Sequence, residues 1–429
     1  MAPPGRLRRT PDLETLSTTP KTPLGRSYWK LWTATTISNV GDGVRFAALP
    51  LLATTLTRDP VLVAGTVFAS QLPWLLFALL SGAVVDRLDR RVVMLAANLF
   101  RACAMVLLGL AVLTGIESLV LLYVVVFLLG SAETLFDSAS FALLPALVHE
   151  SDLERANGPL QATVTFNQEF VGPPLGALLF AVAAAAPFFV DAASFALAAG
   201  IVFTIKTGAK PAREEGPLVA GLKQEVAEGL RWVWGQPLLR NIMVIAAVMN
   251  IVFFATFSVR VLFATEILGL DTTGFGILMA ADGGGGLLGA ISAARVSTRI
   301  GRGPALVVAV ALQALSTFAF GVTSEPWIAW LALAVGGIGG FLWNVVAISV
   351  AQALTPDRLL GRLNSAVNTV SWGAIPIGAA VGGVLARSSL RLPYLIGAVL
   401  LLAMTPLALR LKAQLSGDES GRQGGASPL

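Results

Sequence analysis

The stretch Leu80-Ser-Gly-Ala-Val-Val-Asp-Arg-Leu-Asp-Arg-Arg-Val92 closes one apolar run, holds two acids and three arginines, and opens into a second apolar run. No other pair of hydrophobic segments in the chain has so much charge packed between it. Gly82 has no side chain to keep neighbouring helices apart. Asp86 stands where a helix meets water, a place to pair with Arg90 or to cap a neighbouring helix N-terminus. Arg87, Arg90 and Arg91 are charges of the kind that retain a loop on the cytoplasmic face of a membrane. A plain topogenic loop would account for the arginines alone.

The flanking runs are typical of the whole sequence. Its 429 residues are 55% hydrophobic and 13% charged, about half the charge of an ordinary soluble protein. The apolar residues gather in runs of about twenty, the length that crosses a hydrocarbon core of roughly 30 Å. The runs predict spans at 29–56, 61–85, 91–114, 117–146, 159–184, 187–205, 241–266, 273–298, 303–322, 326–353, 363–386 and 392–411. The lone Cys103 excludes a disulfide framework within the chain. The lone His149 excludes a histidine-cluster metal site and leaves no Ser-His-Asp arrangement in the membrane. The sequence therefore predicts no catalytic residues, no metal, no cofactor and no enzymatic activity.

The formal charge of +5 would suit nucleic acid, but its placement follows membrane topology instead. Of the 30 Lys and Arg, Arg58, Arg387 and Arg391 fall on one side, and Arg45, Arg101 and Arg260 fall within spans. All the others lie in the tails, in the connections that follow even-numbered spans, or, as with Lys30, Arg295 and Arg410, at the span ends bordering them. This bias predicts both termini in the cytoplasm, and a lipid bilayer rather than nucleic acid as partner.

Residues 1–28 read as a polar cytoplasmic tail, since no apolar run directly follows the first arginines. Residues 29–205 form a first set of six spans, 206–240 a cytoplasmic linker, and 241–411 a second set of six. Within the linker, Leu222, Val226 and Leu230 recur at four-residue steps among Lys223, Glu225 and Glu228, the pattern of an amphipathic surface helix. Residues 412–429 are expected to be a disordered cytoplasmic tail. The halves echo each other. Arg87-Leu-Asp-Arg90 matches Arg299-Ile-Gly-Arg302, Leu153-Glu-Arg-Ala-Asn157 matches Leu360-Gly-Arg-Leu-Asn364, and Pro174-Leu-Gly176 matches Pro376-Ile-Gly378, in order and at nearly constant offset. The expected fold is an all-α membrane protein: twelve transmembrane helices in two pseudo-symmetric six-helix bundles.

The spacing of Gly82, Asp86, Arg87, Arg90 and Arg91 resembles the signature loop between helices two and three of the major facilitator superfamily, with Asp89 where that family usually has glycine. In span five, mid-helix proline bends the chain and glycines permit close packing. Gly172-Pro173-x-x-Gly176-Ala177 there also resembles the helix-five motif of proton-coupled drug exporters, with Ala177 in place of a frequent second glycine. Ser38-Asn-Val-Gly-Asp42, Ala142-Leu-Leu-Pro-Ala-Leu-Val148, Ala156-Asn157, Pro187-Phe-Phe-Val-Asp191 and Gly361-Arg362 resemble the branch holding macrolide-efflux and enterobactin-exporter proteins. The resemblance runs from about residue 28 to residue 410. It implies the major facilitator fold in the inner or plasma membrane. It also implies proton-coupled antiport that exports amphipathic small molecules (drug, antibiotic or siderophore-like metabolite) by alternating access, from a monomer. Import, export of one specific metabolite or lipid, and a transport-inactive sensor are the alternative readings of the same fold.

Ionisable groups inside spans are costly and mark functional candidates. Asp42, Arg101, Glu133, Glu169 and Asp282 fall near mid-depth, Arg45 and Arg260 nearer the outer side, and Asp137 nearer the inner side. Asp42 and Arg45 share a helix face and are expected to pair. Glu133 and Glu169 have no cation within four residues on their own helices, and a carboxyl without a countercharge can take up a proton near neutral pH. The proton-coupling candidates are therefore Glu133 and Glu169, followed by Asp42 and Asp282. Asp191 is expected to act as an N-cap at an outer helix end. Arg101, Gln168, Asn250, Trp343, Asn344 and Trp372 are the candidates for lining a substrate cavity. Asp282-Gly-Gly-Gly-Gly286 lacks the Lys-Ser/Thr of a phosphate loop and lies in an apolar span, so it predicts helix packing rather than nucleotide binding.

Overall fold

The computed structural model describes residues 24–149, 152–206 and 231–424. Among these residues every regular element is helical. In chain order they are α1 (Arg26–Leu56), α2 (Pro60–Arg87), α3 (Arg90–Thr114), α4 (Leu119–Leu143), a composite α5 beginning at Leu153, and α6 (Ala186–Phe203). After residues 207–230 come α7 (Pro237–Phe257), α8 (Thr272–Ile300), α9 (Arg302–Val322), α10 (Pro326–Leu354), α11 (Asp357–Ser388) and α12, which starts with Leu392–Ala403 and resumes as Thr405–Gly424. The expected amphipathic helix around Leu222, Val226 and Leu230, and the ends 1–23 and 425–429, lie outside the described residues. So do the side chains of Asp86 and Trp372.

Local chemistry sets the helix starts. Asp59 accepts the Val61 N–H at the head of α2, Asp89 the Arg91 N–H at α3, Ser118 the Leu121 N–H at α4, and Asp271 the Gly274 N–H at α8. Asp89 thus caps α3 from an extended backbone (φ −65°), and no glycine-like turn is required at that position.

Three elements depart from the sequence expectation. α5 comprises Leu153–Thr165, a π-helical stretch Phe166–Val171, and Gly172–Val182. Pro173 and Pro174 supply no N–H, so the carbonyls of Glu169 and Phe170 lose their ordinary helical donors. The ladder widens there, and the Gly172 N–H reaches back five residues to the Asn167 carbonyl. Span seven, expected to be continuous to residue 266, breaks after Phe257 and continues as a short turn, Arg260–Leu262, and a π stretch, Phe263–Ile267. Tyr394 Oη donates to the Thr256 carbonyl at 3.1 Å, taking the acceptor that a continuous helix would offer to Arg260. The tail expected to be disordered from residue 412 is helical as far as Gly424, because Leu411 and Leu415 still pack on the core and carry the helix onward.

α2 packs on α4, α3 on α6, and α1 on α5 and α6. In the second set, α8 and α9 pack on α10, α7 on α11, and α9 on α12. The two sets meet along α2 with α11 and α5 with α8. At one end they are clasped. Phe46 of α1 stacks on Phe257 of α7 at 4.5 Å, Arg387 of α11 pairs with Asp59 at 2.8 Å, and Arg58 pairs with Glu266 at 3.7 Å.

Nine helices of the described residues are long and apolar enough to cross a membrane. The three that fall short are α1, α5 and α11. α1 buries Asp42 and Arg45, α5 is interrupted, and the apolar part of α11 is only Gly373–Ser388. α1 hides its charges against other helices, so it does not need an unbroken lipid-facing apolar surface.

Candidate functional site

The first polar site lies inside the α1–α6 set. Arg45 of α1 donates to Asp42 one turn earlier at 2.6 Å and to Glu133 of α4 at 2.7 Å, and it lies 3.7 Å from Asp191 of α6. Arg101 of α3 is fully buried, pairs with Asp42, and lies over the Phe195 ring at 3.9 Å. Asp137, one turn beyond Glu133 on α4, is within electrostatic reach of Glu133, Arg101 and Asp42. The helix-five motif holds α1 in this position. A Cβ on Gly172 would overlap Gly43, and one on Gly176 would overlap the Val44 carbonyl, so the backbones of α1 and α5 touch directly.

The second site is a cavity of about 280 Å³ enclosed mainly by the second set, with Phe46, Glu169 and Pro173 of the first set closing one side. Its walls are aromatic, with Phe46, Phe253, Phe257, Phe320, Phe341 and Tyr394 among them. Its polar groups include Glu169, Asn250, Arg260, Asp282, Gln313 and Asn344. Arg260 pairs with Asp282 at 2.6 Å and lies over the rings of Phe253 and Phe257. Glu169, carried on the π stretch of α5, is close enough to feel the charge of Asp282. The described residues give Glu169 no ion pair, so one carboxylate in the cavity is uncompensated. A pocket of this kind, with apolar walls and a few convergent polar groups, suits an amphipathic small molecule.

The residues singled out from the sequence separate cleanly. Asp42 and Glu133 belong to the buried cluster, and Glu169, Asp282, Asn250 and Asn344 face the cavity. Glu133, expected to lack a countercharge, has one in Arg45 from another helix. Arg101 and Trp343 do not line the cavity: the first is sealed in the cluster, and the second is buried in the core with Ile245 and Val346. Gln168 donates to Asn39 on α1 at 2.6 Å instead. Asp191 is not an N-cap, because α6 begins at Ala186 and places it inside the helix beside Arg45. Of the signature loop, Gly82 is half-buried, Arg87 is exposed, Arg90 donates to the Ala142 carbonyl at the end of α4, and Arg91 donates to the Phe203 carbonyl at the end of α6. Tyr394 was not expected as a site residue, while Arg45 and Arg260 were marked only as ionisable groups within spans and given no place in either site. For the two arginines the signal was present, since each is a cation inside an apolar run.

The apolar helices and the cavity they enclose are those of a multi-pass membrane transporter of small molecules. The chain belongs to the transmembrane secretion effector family of the major facilitator superfamily, which matches residues 18–423. It is 26% identical to the multidrug efflux pump Tap of Mycolicibacterium fortuitum over 82% of this chain and 87% of that protein. It is 24% identical to the enterobactin exporter EntS of Salmonella typhimurium over 81% and 82%. Among solved structures, a bacterial homologue of the iron transporter ferroportin in its inward-facing state superposes with a TM-score of 0.72 at 15% identity, covering 91% of this chain and all of that one. A single-site mutant of the nucleoside transporter NupG does so with the same TM-score at 11% identity, covering 90% and 99%.

Proposed function

We propose that the protein is a secondary active transporter that exports amphipathic small molecules across the plasma membrane in exchange for protons. It would work as a monomer by alternating access between two six-helix halves, residues 29–205 and 241–411. The observation that carries this reading is the cavity where the second half meets Phe46, Glu169 and Pro173 of the first, with the halves clasped at one end by Phe46–Phe257 and Asp59–Arg387. A substrate bound there reaches the other side once the clasp opens and the opposite end closes. The names of the efflux relatives support the direction. The buried carboxylates, which outnumber the arginines beside them, support coupling to protons. The clasp lies at the end away from both termini, so with cytoplasmic termini it closes the outer side.

The test is growth of a drug-sensitive host expressing the chain across a panel of compounds, followed by inverted vesicles with an imposed pH gradient. Resistance, with gradient-driven accumulation of the same compound, is expected. Accumulation that ignores the pH gradient would remove proton coupling, and no resistance to any compound would remove drug export. Reporter fusions at Gly208 and at the C-terminus should both read cytoplasm, and an external signal at either would reverse the topology.

A further inference from the structure

We propose that Asp191 is the seat of the coupling proton, in a site walled off from the substrate cavity; this rests on the proton-coupled reading above. Asp191 sits on α6 and is fully buried. The charges around it come from three helices: Asp42 and Arg45 on α1, Arg101 on α3 and Glu133 on α4. Two guanidiniums therefore serve three carboxylates, and they are shared unequally. Asp42 holds both Arg45 and Arg101, and Glu133 holds Arg45 at 2.7 Å. Among the described residues Asp191 has only the Arg45 Nε as an ion-pair partner, at 3.7 Å, beyond hydrogen-bond range. Its Oδ2 and that Nε have no hydrogen-bond partner among those residues. Ser194 Oγ donates to the Asp191 backbone carbonyl at 2.7 Å and lies 3.4 Å from its Oδ1.

An unpaired charge in a closed, low-dielectric interior is strongly disfavoured by the general rule for buried ions. One proton on Asp191 brings the three acids and two bases to neutrality. The fourth acid, Asp137, is only half-buried. Gly41 seals the site. A Cβ there would overlap Asp191 Oδ1 and Ser194 Oγ, so the α1 backbone itself forms the wall. None of these five charged residues lines the cavity, but Phe46, adjacent to Arg45, does and is also half of the clasp. Losing the proton leaves a carboxylate that pulls on Arg45, and through it on the segment of α1 that carries Phe46. Proton and substrate would then occupy different sites and communicate through α1, rather than compete for one carboxyl.

The test is D191N in the full-length chain, reconstituted in lipid. Infrared difference spectra between mildly acidic and mildly alkaline buffer need no substrate. The wild type should gain the carbonyl band of a protonated carboxylic acid on acidification, and D191N should lose that band. With ethidium as the transported probe, gradient-driven accumulation should fall about tenfold or more, while ethidium binding stays within about twofold. A full band in D191N, or undiminished gradient-driven accumulation, overturns the assignment and leaves proton coupling intact. A wild type with no such band, driven instead by a sodium gradient, overturns both. If D191N fails to reach the membrane, D191E reads the same question, since it should displace the band, and an unshifted band overturns the proposal.

Discussion

Arg45 donates from one nitrogen to carboxylates on two helices and lies against a third, so its removal strands several buried acids at once. Arg45→Met should cost about 3–5 kcal/mol, the usual penalty for breaking a buried pair from one side. The measurement is the Tm of the purified protein in detergent, and an unchanged Tm would show that the cluster is hydrated and tolerant. Glu169→Gln should behave differently, because Glu169 faces the cavity without an ion pair. Its expected effect is a raised KM for a cationic probe such as ethidium with the response to the pH gradient retained. A lost gradient response at unchanged KM would make Glu169 the proton carrier instead. The Asp42–Arg45 pair was legible in the sequence because i and i+3 share a helix face. The Arg45–Glu133 pair was not, because the partners are 88 positions apart and only helix packing brings them together. Asp191 was misread for a related reason. A residue near the head of a span is a cap or an interior residue depending on where the helix starts, and propensity does not fix that within a turn.

α5 shows what an element contributes beyond its residues. Its two prolines force the π stretch that carries Glu169, and its glycines let the helix lie directly on α1, which holds Arg45. Gly176→Ala places a methyl group into the Val44 carbonyl, so α1 and α5 must separate. The expected penalty is about 1–3 kcal/mol for overpacking, with transport reduced more than expression. Normal Tm and normal transport would mean that the α1–α5 contact is incidental. The existence of the spans was legible from apolar runs, since bilayer thickness sets their length. Their interruptions were legible only where proline marks them. The break after Phe257 comes from a tyrosine hydroxyl 138 residues away, and no local pattern announces it. Helix rotation was equally out of reach. Arg101 and Trp343 lie in spans as expected, but their faces turn into the helix packing rather than toward the cavity.

For the molecule as a whole, the question is what holds the two sets closed at the clasped end. Asp59 has two tasks there. Its carboxylate caps α2 through the Val61 N–H, and it accepts two hydrogen bonds from Arg387 at the end of α11. The bond from Arg387 is the main reason that its carboxyl titrates below the usual carboxylate value, with the Val61 N–H adding to it. A depressed acid contributes stability that is fully present above its unfolded value of about 3.9 and is lost as pH falls through the lower folded value. The pair is therefore intact across the neutral range and is not the element that senses a physiological proton gradient. Both partners are partly exposed, so salt should weaken them. Asp59→Asn separates the two tasks, because asparagine still caps a helix but carries no charge. Arg387→Ala removes the pair and leaves the cap untouched. Each single variant should shift the distance between spin labels on α2 and α11 toward a longer, open population by the same amount. The double variant should shift it no further, since both remove one shared interaction. High salt should produce that shift in the wild type, and in the variants only what screening of the exposed Arg58–Glu266 pair adds. If neither variant changes the label distances, the Phe46–Phe257 stack and the surrounding helix packing close this end unaided, and the ion pair merely accompanies the closed state.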